Sequence, residues 1–422
     1  MVTISYPIPD GGVKPSATSH PISFDNTEYA FAYKSNAALR KAKFLFSSMG
    51  FSWLVKLGTR ITPWAIKIGL PINGLLRNTL FGQFVGGETL EQTAKVADML
   101  EAFNVKVILD YGVEGKESEA SFDHACKEFI RVIQFAATQP NIPFMSIKVT
   151  GFARFGLLEK LDKATDLHFN VTGKIATVCL TEEETKEWDR VGIRMDKIIA
   201  CAAEKNVGVL VDAEETWIQQ PVDALAMQMM EKYNATKAVV YNTVQFYRHD
   251  RLRFLEDSHL RAVQKNFILG VKLVRGAYME KERKRAADLN YPSPIQPGKE
   301  AADRDYNEAI KYAIRHLAEI ALIVASHNEE SNLLATELLQ QYNFSFNHPH
   351  IHFSQLYGMS DNITFNLAKA GCSVSKYLPF GPVKEVIPYL MRRAQENSSV
   401  SGHTGRELGL INKEMERRKR AS

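Results

Sequence analysis

The most constraining feature of the sequence is a regular alternation of short apolar segments with longer segments of helical periodicity. Continuous apolar strands separated by helices indicate parallel strands that are covered on both faces. Eight such strands follow one another after residue 104, and each is followed by a helical pattern. They are VKVILDYG (105–112), PFMSIKVTGF (143–152), VGVLVDAEE (207–215), AVVYNTVQFY (238–247), FILGVKLVRGAY (267–278), IALIVASHN (320–328), HIHFSQLYG (350–358) and CSVSKYLPFG (372–381).

Eight strand–helix units predict an α/β fold, a closed (β/α)8 TIM-like barrel. An open doubly wound sheet is the alternative, but no GxGxxG or GxxxxGK[ST] motif follows any strand. We predict a flexible tail over 1–28, a basic helical region over 29–88, the barrel over 89–405 and a basic C-terminal tail over 406–422, of which KEMERRKRAS (413–422) is expected to be solvated and frayed. We therefore predict one catalytic domain with an N-terminal helical extension.

The N-terminal extension has an unusual charge pattern. No Asp or Glu occurs between Tyr29 and Gly87, whereas basic and aromatic residues alternate there. Such a region either packs on the barrel with its basic residues outward or lies on an anionic membrane surface. The net charge of +4 gives no indication of nucleic-acid binding, and the four cysteines are far apart in sequence. We expect reduced thiols and no zinc ribbon.

A polar residue follows the apolar run of every predicted strand. Barrels of this type carry their chemistry at the carboxyl ends of the strands, so these residues are candidates for a common site. Each also has a structural explanation: Asp212 could cap a helix, Gln245 could bond to the backbone, and Lys148 could neutralise Asp212. The full set is Asp110, Lys148, Asp212, Gln245, Arg275, His327, Gln355 and Tyr377.

The charges near these strand ends favour an anionic ligand. Lys148, Lys272, Arg275 and the pair Arg392–Arg393 exceed what Asp212, Glu214, Glu215 and Glu396 can balance. Neighbouring arginines favour bidentate recognition of a carboxylate or a phosphate-bearing cofactor. A metal site in HPHIHF (348–353, with His348, His350 and His352) is disfavoured, because these residues lie at the amino end of their strand, opposite the chemistry.

Four motifs together resemble one known family. VKLVRGAYMEKER, VDAEET, SQLYGMSD and KYLPFGPVKEVIPYLMRRAQENSS are similar to segments of proline dehydrogenase (proline oxidase), over roughly residues 30 to 410. The resemblance implies a distorted barrel with a final helix over its mouth, bound FAD, and L-proline held between the flavin and that helix. The layout resembles the monofunctional, eukaryotic-type members.

The resemblance also implies roles for individual residues. Arg392, Arg393 and Lys148 would bind the substrate carboxylate, with Glu396 and Glu114 orienting the arginines. Tyr278, Leu356 and Tyr377 would shape the pocket, and Tyr377 favours proline because hydroxyproline-oxidising members tend to carry a smaller residue there. Lys272 stands where bacterial members have an arginine close to the flavin. The flavin contacts would be Ala213, Gln245, Arg275, Gly276, Ala277, Ser326 and His327.

The implied reaction is hydride transfer from C5 of L-proline to flavin N5, giving Δ1-pyrroline-5-carboxylate, with a membrane quinone as the final acceptor. Asp212 or solvent would accept the proton from the proline nitrogen. The alternatives are oxidation of hydroxyproline, a Schiff-base aldolase with Lys148 as nucleophile, and a non-catalytic scaffold. Peripheral membrane contact through 29–87 is the alternative to packing of this region on the barrel. The predicted location is the cytoplasm, peripheral at the inner membrane, for a bacterial protein, and the mitochondrial inner membrane or matrix for a eukaryotic one.

Overall fold

The fold is a closed barrel of eight parallel strands. The computed structural model describes residues 22–49, 74, 77–112, 117–164, 177, 179–399 and 401–421. Neighbouring strands in sequence are neighbours in the barrel, and β1 closes it by pairing with β8 from Lys106–Ser375 to Tyr111–Phe380. This confirms the predicted barrel. The strands are β1 Lys106–Tyr111, β2 Phe144–Ile147, β3 Gly208–Val211, β4 Val240–Gln245, β5 Leu269–Val274, β6 Ile320–Ala325, β7 Ile351–Leu356 and β8 Val374–Phe380.

Helices surround the barrel, and several begin at residues whose side chains cap the first turn. Thr181 and Glu184 form a reciprocal capping box, which satisfies two amide groups that the helix itself leaves without partners. The helices are α1 Thr27–Ala30, α2 Asn36–Met49, α3 Gly82–Phe84, α4 Leu90–Glu101, α5 Glu119–Ala136, α6 Phe155–Ala164, α7 Glu182–Lys205, α8 Gln219–Tyr233, α9 Arg251–Lys265, α10 Met279–Asp288, α11 Lys299–Arg315, α12 Glu329–Gln341, α13 Asp361–Lys369, α14 Val383–Ser399 and α15 Ser401–Ala421.

In β1 and β3 the side chains that point into the barrel change from apolar to charged toward the carboxyl end of the strand. Ile108 and Leu210 are fully buried in one interior layer. Two residues further on, Asp110 and Asp212 line a cavity. Because side chains in a strand alternate between its faces, residues two apart point the same way. The period of two therefore brings Asp110 and Asp212 to the inside of the barrel mouth.

The three histidines of HPHIHF do not converge. His352 enters the barrel, where its Nε2 lies 2.6 Å from Ser375 Oγ. His350 Nδ1 instead lies 2.7 Å from the carbonyl of Leu317, and the ring of His348 packs edge-on against His350. Within the residues that the structure describes, no group of three His, Cys, Asp or Glu side chains is placed to hold a metal ion.

Helices from the N-terminal and C-terminal parts of the described chain form a layer beside the barrel mouth, which we call the terminal layer: α2, α14 and α15. Its core includes Phe46 from α2, Leu390 from α14, and Leu410 and Ile411 from α15, all buried. The predicted basic tail over 406–422 is therefore part of a packed helix up to Ala421, and the expectation that 413–422 is frayed is wrong, because Glu414 in that segment is fully buried. Leu410 and Ile411 bring apolar surface to one side of α15, and its basic residues cover the outer side.

The predicted flexible tail over 1–28 is also wrong for its last residues. Phe24 and Thr27 are each only 3% exposed, and α1 begins within this range. Residues 1–21 lie outside the described part of the chain, as do most residues between 50 and 76. No helix within the described ranges is long and apolar enough to cross a membrane.

Candidate active site

A cavity of about 320 Å³ opens at the carboxyl ends of the strands. This volume lies in the usual range for small-molecule sites, roughly 300–1,000 Å³. The fifteen described residues to which the sequence assigned substrate, flavin or catalytic roles all line it: Lys148, Asp212, Ala213, Gln245, Lys272, Arg275, Gly276, Ala277, Tyr278, Ser326, His327, Leu356, Tyr377, Arg392 and Arg393.

Asp212 is the centre of a charged network on the cavity floor. One carboxylate oxygen pairs with the ammonium of Lys272, and the other accepts a 2.6 Å hydrogen bond from the Tyr377 hydroxyl. Lys148 Nζ lies 3.4 Å from Asp212 and 3.3 Å from Asp110. Two lysines thus face two carboxylates, and Tyr377 is fixed by a hydrogen bond to the central one.

The protonation states of this network follow from its pairing. Burial opposes the charge on Asp212, but Lys272 and Lys148 outweigh burial and hold the pKa of the carboxyl well below its usual range. Burial also opposes the charge on Lys148, yet Asp110 and Asp212 raise its pKa above the usual value. Burial, assisted by Asp110 and Asp212, raises the pKa of Tyr377. At neutral pH Lys148 is therefore an ammonium, Asp212 a carboxylate and Tyr377 a hydroxyl.

The segment after β5 brings backbone and a fixed arginine to the cavity wall. The Arg275 guanidinium donates to Asp303 at 2.5 Å, to Ser326 at 2.8 Å and to Ser331 at 2.9 Å. Its carbon lies 4.3 Å from the centre of the Tyr306 ring. These contacts fix both the position of Arg275 and the hydroxyl of Ser326, which also lines the cavity.

The helix α14 supplies Tyr389, Arg392 and Arg393 to the same cavity. Arg393 is 7% exposed, and its guanidinium lies 5.5 Å from the centre of the Tyr389 ring. Tyr278 lines the cavity from the start of α10, and burial raises the pKa of its hydroxyl. The paired arginines therefore lie at one site with the charged network of the floor.

Two polar atoms on the cavity wall are buried without a hydrogen-bond partner among the described residues: Thr243 Oγ1 and Gln245 Oε1. The amide nitrogen of Gln245 is used, because it donates to the Glu214 carbonyl at 3.0 Å. Buried polar atoms without partners are unfavourable unless a ligand or water satisfies them. Since both residues line the cavity, a ligand with polar edges fits this wall.

Comparison with known proteins places the chain in a family. The family described as proline dehydrogenase matches residues 93–406, which is most of the chain. The mitochondrial proline dehydrogenase 1 of Dictyostelium discoideum is 34% identical over 385 residues, covering 83% of this chain and 67% of that protein.

The chain belongs to the proline dehydrogenase family.

Membership in the proline dehydrogenase family makes the chain an oxidoreductase of proline catabolism. The hydroxyproline dehydrogenase of Xenopus laevis is 30% identical over 426 residues, covering 92% of this chain and 88% of that protein. Proline utilization A of Bdellovibrio bacteriovorus shares the fold with a TM-score of 0.66 at 18% identity, and covers 91% of this chain. The chain spans only 40% of that structure's length, and at this identity the likeness concerns the fold alone.

The structure adds cavity residues that sequence reasoning had not selected, notably Thr243, Tyr389, Asn328 and Lys299. Thr243 precedes Gln245 by two positions in β4, so the alternation of strand faces was a usable signal. Tyr389 lies one turn before Arg392 and Arg393 on α14, where helical spacing could have indicated it. Lys299, at the start of α11, gave no such signal.

The two predicted ion-pair partners of the arginines, Glu114 and Glu396, have side chains that lie outside the described part of the structure. Glu114 falls in the segment 113–116, and the side chain of Glu396 lies among those of 395–399 that the structure does not describe. Their proposed role in orienting the arginines stays a prediction.

Proposed function

We propose that this protein oxidises L-proline to Δ1-pyrroline-5-carboxylate with FAD as its cofactor, as the first step of proline catabolism. The single observation that carries the proposal is that Arg392 and Arg393 of α14 line the same cavity as the network around Asp212 and the segment Arg275–Ala277. A carboxylate-binding pair and a wall suited to a polar-edged ligand are the two parts that this oxidation needs.

FAD would be held by the wall formed by Ala213, Gln245, Arg275, Gly276, Ala277, Ser326 and His327. The orphaned Gln245 Oε1 and Thr243 Oγ1 support this assignment, since they are polar groups that a cofactor ring with polar edges could satisfy. When bound, FAD supplies the hydride acceptor at N5 and passes the electrons on to a membrane quinone.

The residues of the chain would act by positioning. Arg392 and Arg393 bind the carboxylate of proline, and Tyr278, Leu356 and Tyr377 confine its ring. The hydrogen bond from Tyr377 to Asp212 holds that part of the wall in place. Fixing the substrate in a reactive orientation supplies much of the rate acceleration in such reactions.

Solvent is the better candidate for the proton acceptor. Asp212 is a weak base at neutral pH, because Lys272 and Lys148 stabilise its ionised form against the opposing effect of burial. We therefore assign Asp212 to holding Lys272 and Tyr377, and Lys272 to providing positive charge on the cavity floor.

The Schiff-base alternative requires a neutral lysine, and the surroundings of Lys148 disfavour it. A nucleophilic lysine is activated by a lowered pKa, whereas Asp110 and Asp212 raise the pKa of Lys148 against the opposing effect of burial. Borohydride treatment in the presence of a carbonyl compound should leave Lys148 unmodified. Covalent trapping at Lys148 would support the Schiff-base aldolase function instead.

Hydroxyproline is the second candidate substrate, because a hydroxyproline dehydrogenase is among the relatives. Tyr377 narrows the pocket from β8, and its hydroxyl is fixed by Asp212 and by Ser146 at 3.2 Å. We expect a higher kcat/KM for L-proline than for hydroxyproline. A higher kcat/KM for hydroxyproline than for L-proline would make hydroxyproline the substrate of this enzyme.

Membrane contact is proposed for the outer face of α2. Arg40, Lys41, Lys43 and Phe44 are exposed there, and Phe44 is 70% exposed. A basic face with an exposed aromatic residue suits an anionic membrane surface, which would be the inner mitochondrial membrane or the bacterial inner membrane. The protein should float with anionic vesicles and not with neutral ones, and Lys41→Glu with Lys43→Glu should abolish flotation.

The direct test of the function is spectroscopic. The purified protein should show the absorbance of an oxidised flavin, and L-proline should bleach it in the absence of oxygen. A protein that neither carries nor binds FAD would overturn the proposal.

The arginine pair gives a sharper test. Arg392→Met or Arg393→Met should raise the KM for proline roughly 10- to 100-fold, because each removes a charge-assisted hydrogen-bonding group. FAD should stay bound, since the arginines lie on the substrate side. Arg304→Met, at an exposed arginine paired with Asp305, serves as the control. Unchanged kinetics in both cavity variants would contradict the carboxylate clamp.

A further inference from the structure

The loop between β7 and α13 contains a residue in an uncommon backbone conformation. Ser360 has φ +50° and ψ +45°, the left-handed region, immediately before α13. A residue other than glycine is uncommon there, and such conformations persist where the surroundings enforce them. Ser360 precedes the helix but its side chain does not cap it. Its hydroxyl therefore serves another contact.

That contact reaches the cavity wall. Ser360 Oγ lies 2.8 Å from Nδ1 of His327, which lines the cavity at the end of β6. The amide of Leu356 donates to Nε2 of the same ring at 3.5 Å. Since a backbone amide can only donate, Nε2 accepts and the proton of the neutral ring sits on Nδ1, from which it is donated to Ser360. The Leu356 amide thus sets the tautomer of His327, and the Ser360 hydroxyl, which accepts from Nδ1, holds the direction of the ring.

The backbone of Ser360 is held in turn by the C-terminal helix. Its amide donates to the carboxylate of Glu407, a residue of α15 that is 8% exposed. Around this contact lies a buried charge cluster that joins both ends of the chain to the barrel. In it Asp361 pairs with Lys376 at 2.9 Å and with Lys34 at 3.0 Å, and accepts a hydrogen bond from Tyr33 at 2.8 Å.

We propose that Glu407 and Ser360 are positioning residues of the flavin site, which act on the cofactor through the ring of His327. This inference rests on the proposed flavin chemistry. Its physical content is that α15, outside the barrel, sets the orientation of a ring on the cavity wall through two successive hydrogen bonds. Groups behind a ligand-contacting histidine commonly fix its tautomer and direction in this way.

The test uses FAD binding to the flavin-free full chain, measured by quenching of flavin fluorescence. Ser360→Ala removes the hydroxyl, and Glu407→Leu removes the acceptor, so each should raise the Kd for FAD about tenfold. Glu407→Gln keeps an acceptor oxygen and should stay within threefold of the wild type. The matched control is Glu414→Leu, because Glu414 is fully buried on the same helix but pairs with Arg417 and Arg418 instead. Its Kd should change less than twofold.

Coupling to His327 separates positioning from general destabilisation. In the His327→Ala background, adding Ser360→Ala or Glu407→Leu should change the Kd for FAD less than twofold. The visible absorption band of the bound flavin should shift in the same direction in Ser360→Ala and Glu407→Leu, and not in Glu414→Leu.

Two failures would be distinguishable. If the tenfold effects persist without His327, or if neither Ser360→Ala nor Glu407→Leu alters FAD binding, the positioning role is wrong while the flavoenzyme assignment stands. If the wild-type chain binds no FAD, the proposed function itself fails, and this inference fails with it.

Discussion

At the residue scale, the backbone at Gly276 shows why a single glycine is required at the cavity wall. Gly276 has φ +129°, a conformation that side-chain-bearing residues rarely adopt. A Cβ atom there would also overlap the ring of Tyr247, which is buried. The glycine therefore lets the chain turn from Arg275 to Ala277 while its backbone stays close to the cavity.

Gly276→Ala should combine backbone strain with a steric clash. We expect the free energy of unfolding to fall by about 2 kcal/mol or more, together with weaker FAD binding. Urea unfolding and FAD titration would measure the two effects.

The matched control is Gly192→Ala in α7, where a Cβ atom meets nothing within 4 Å. Because alanine favours a helix over glycine, this change should leave stability equal or raise it by up to about 1 kcal/mol. Equal behaviour of the two variants would show that the Gly276 backbone is not restricted.

At the scale of elements, the terminal layer depends on the packing of α15 against α2 and α14. Leu410 and Ile411 are 3% and 1% exposed. The C-terminal turn is also tied down, because the Arg418 guanidinium donates to the carbonyls of Phe31 and Lys34 at 2.8 Å each. The basic C-terminal run, predicted to be solvated, thus includes an arginine, Arg418, that satisfies two backbone carbonyls.

Leu410→Ala should destabilise the folded chain by about 2–4 kcal/mol, since it removes buried apolar surface and leaves a cavity. Thermal unfolding or urea unfolding would show the loss. Glu416→Ala, at an exposed position of the same helix, should change stability by less than about 0.5 kcal/mol. If Leu410→Ala left the free energy of unfolding unchanged, α15 would not be docked in solution.

At the scale of the whole molecule, buried carboxyl groups shape the dependence of stability on pH. Burial raises the pKa of Glu214 from 4.5 to about 7, although Lys148 and the Thr150 hydroxyl lower it. Burial likewise raises the pKa of Asp162 to about 7. Asp212 has the opposite shift, because its lysine partners outweigh burial.

The sign of each contribution follows from which state binds the proton more tightly. For Glu214 the folded state does, so its contribution to stability is fully present below about pH 4.5 and is lost as the pH rises through about 7. The contribution of Asp212 is present above its unfolded pKa, near 4, and is lost only in more acidic solution. Between pH 5 and 8 the carboxyl groups with a raised pKa, Glu214 and Asp162, therefore dominate the change of stability with pH.

We therefore expect the free energy of unfolding of the flavin-free chain to fall between pH 5 and pH 8. Glu214→Gln should flatten this fall by at most about 3 kcal/mol, the equivalent of a shift from 4.5 to about 7. Urea unfolding at a series of pH values would measure it, with exposed Glu183→Gln as the control. An unaltered pH profile in Glu214→Gln would contradict the raised pKa.

The sequence by itself determined the barrel fold and most of the residues that line the cavity at its mouth. Eight apolar runs with helices between them leave few ways to bury the strands, and the period of two in a strand fixes which side chains enter the interior. Because the chemistry of such barrels lies at the carboxyl ends of the strands, the polar residues there, among them Asp212, Gln245, Arg275 and Tyr377, could be selected from the sequence alone. The motif resemblance added Arg392 and Arg393, and the structure brings them to the same cavity.

Only the tertiary structure decided how these residues pair and what the chain termini do. Whether Lys148 neutralises Asp212 or acts as a nucleophile depends on distances of a few ångströms between different strands, which sequence spacing does not encode. The docking of α15 and the contact of Glu407 with Ser360 join residues 47 positions apart. A short apolar patch within a basic run carries too little local signal, so its burial is decided by the surface against which it packs.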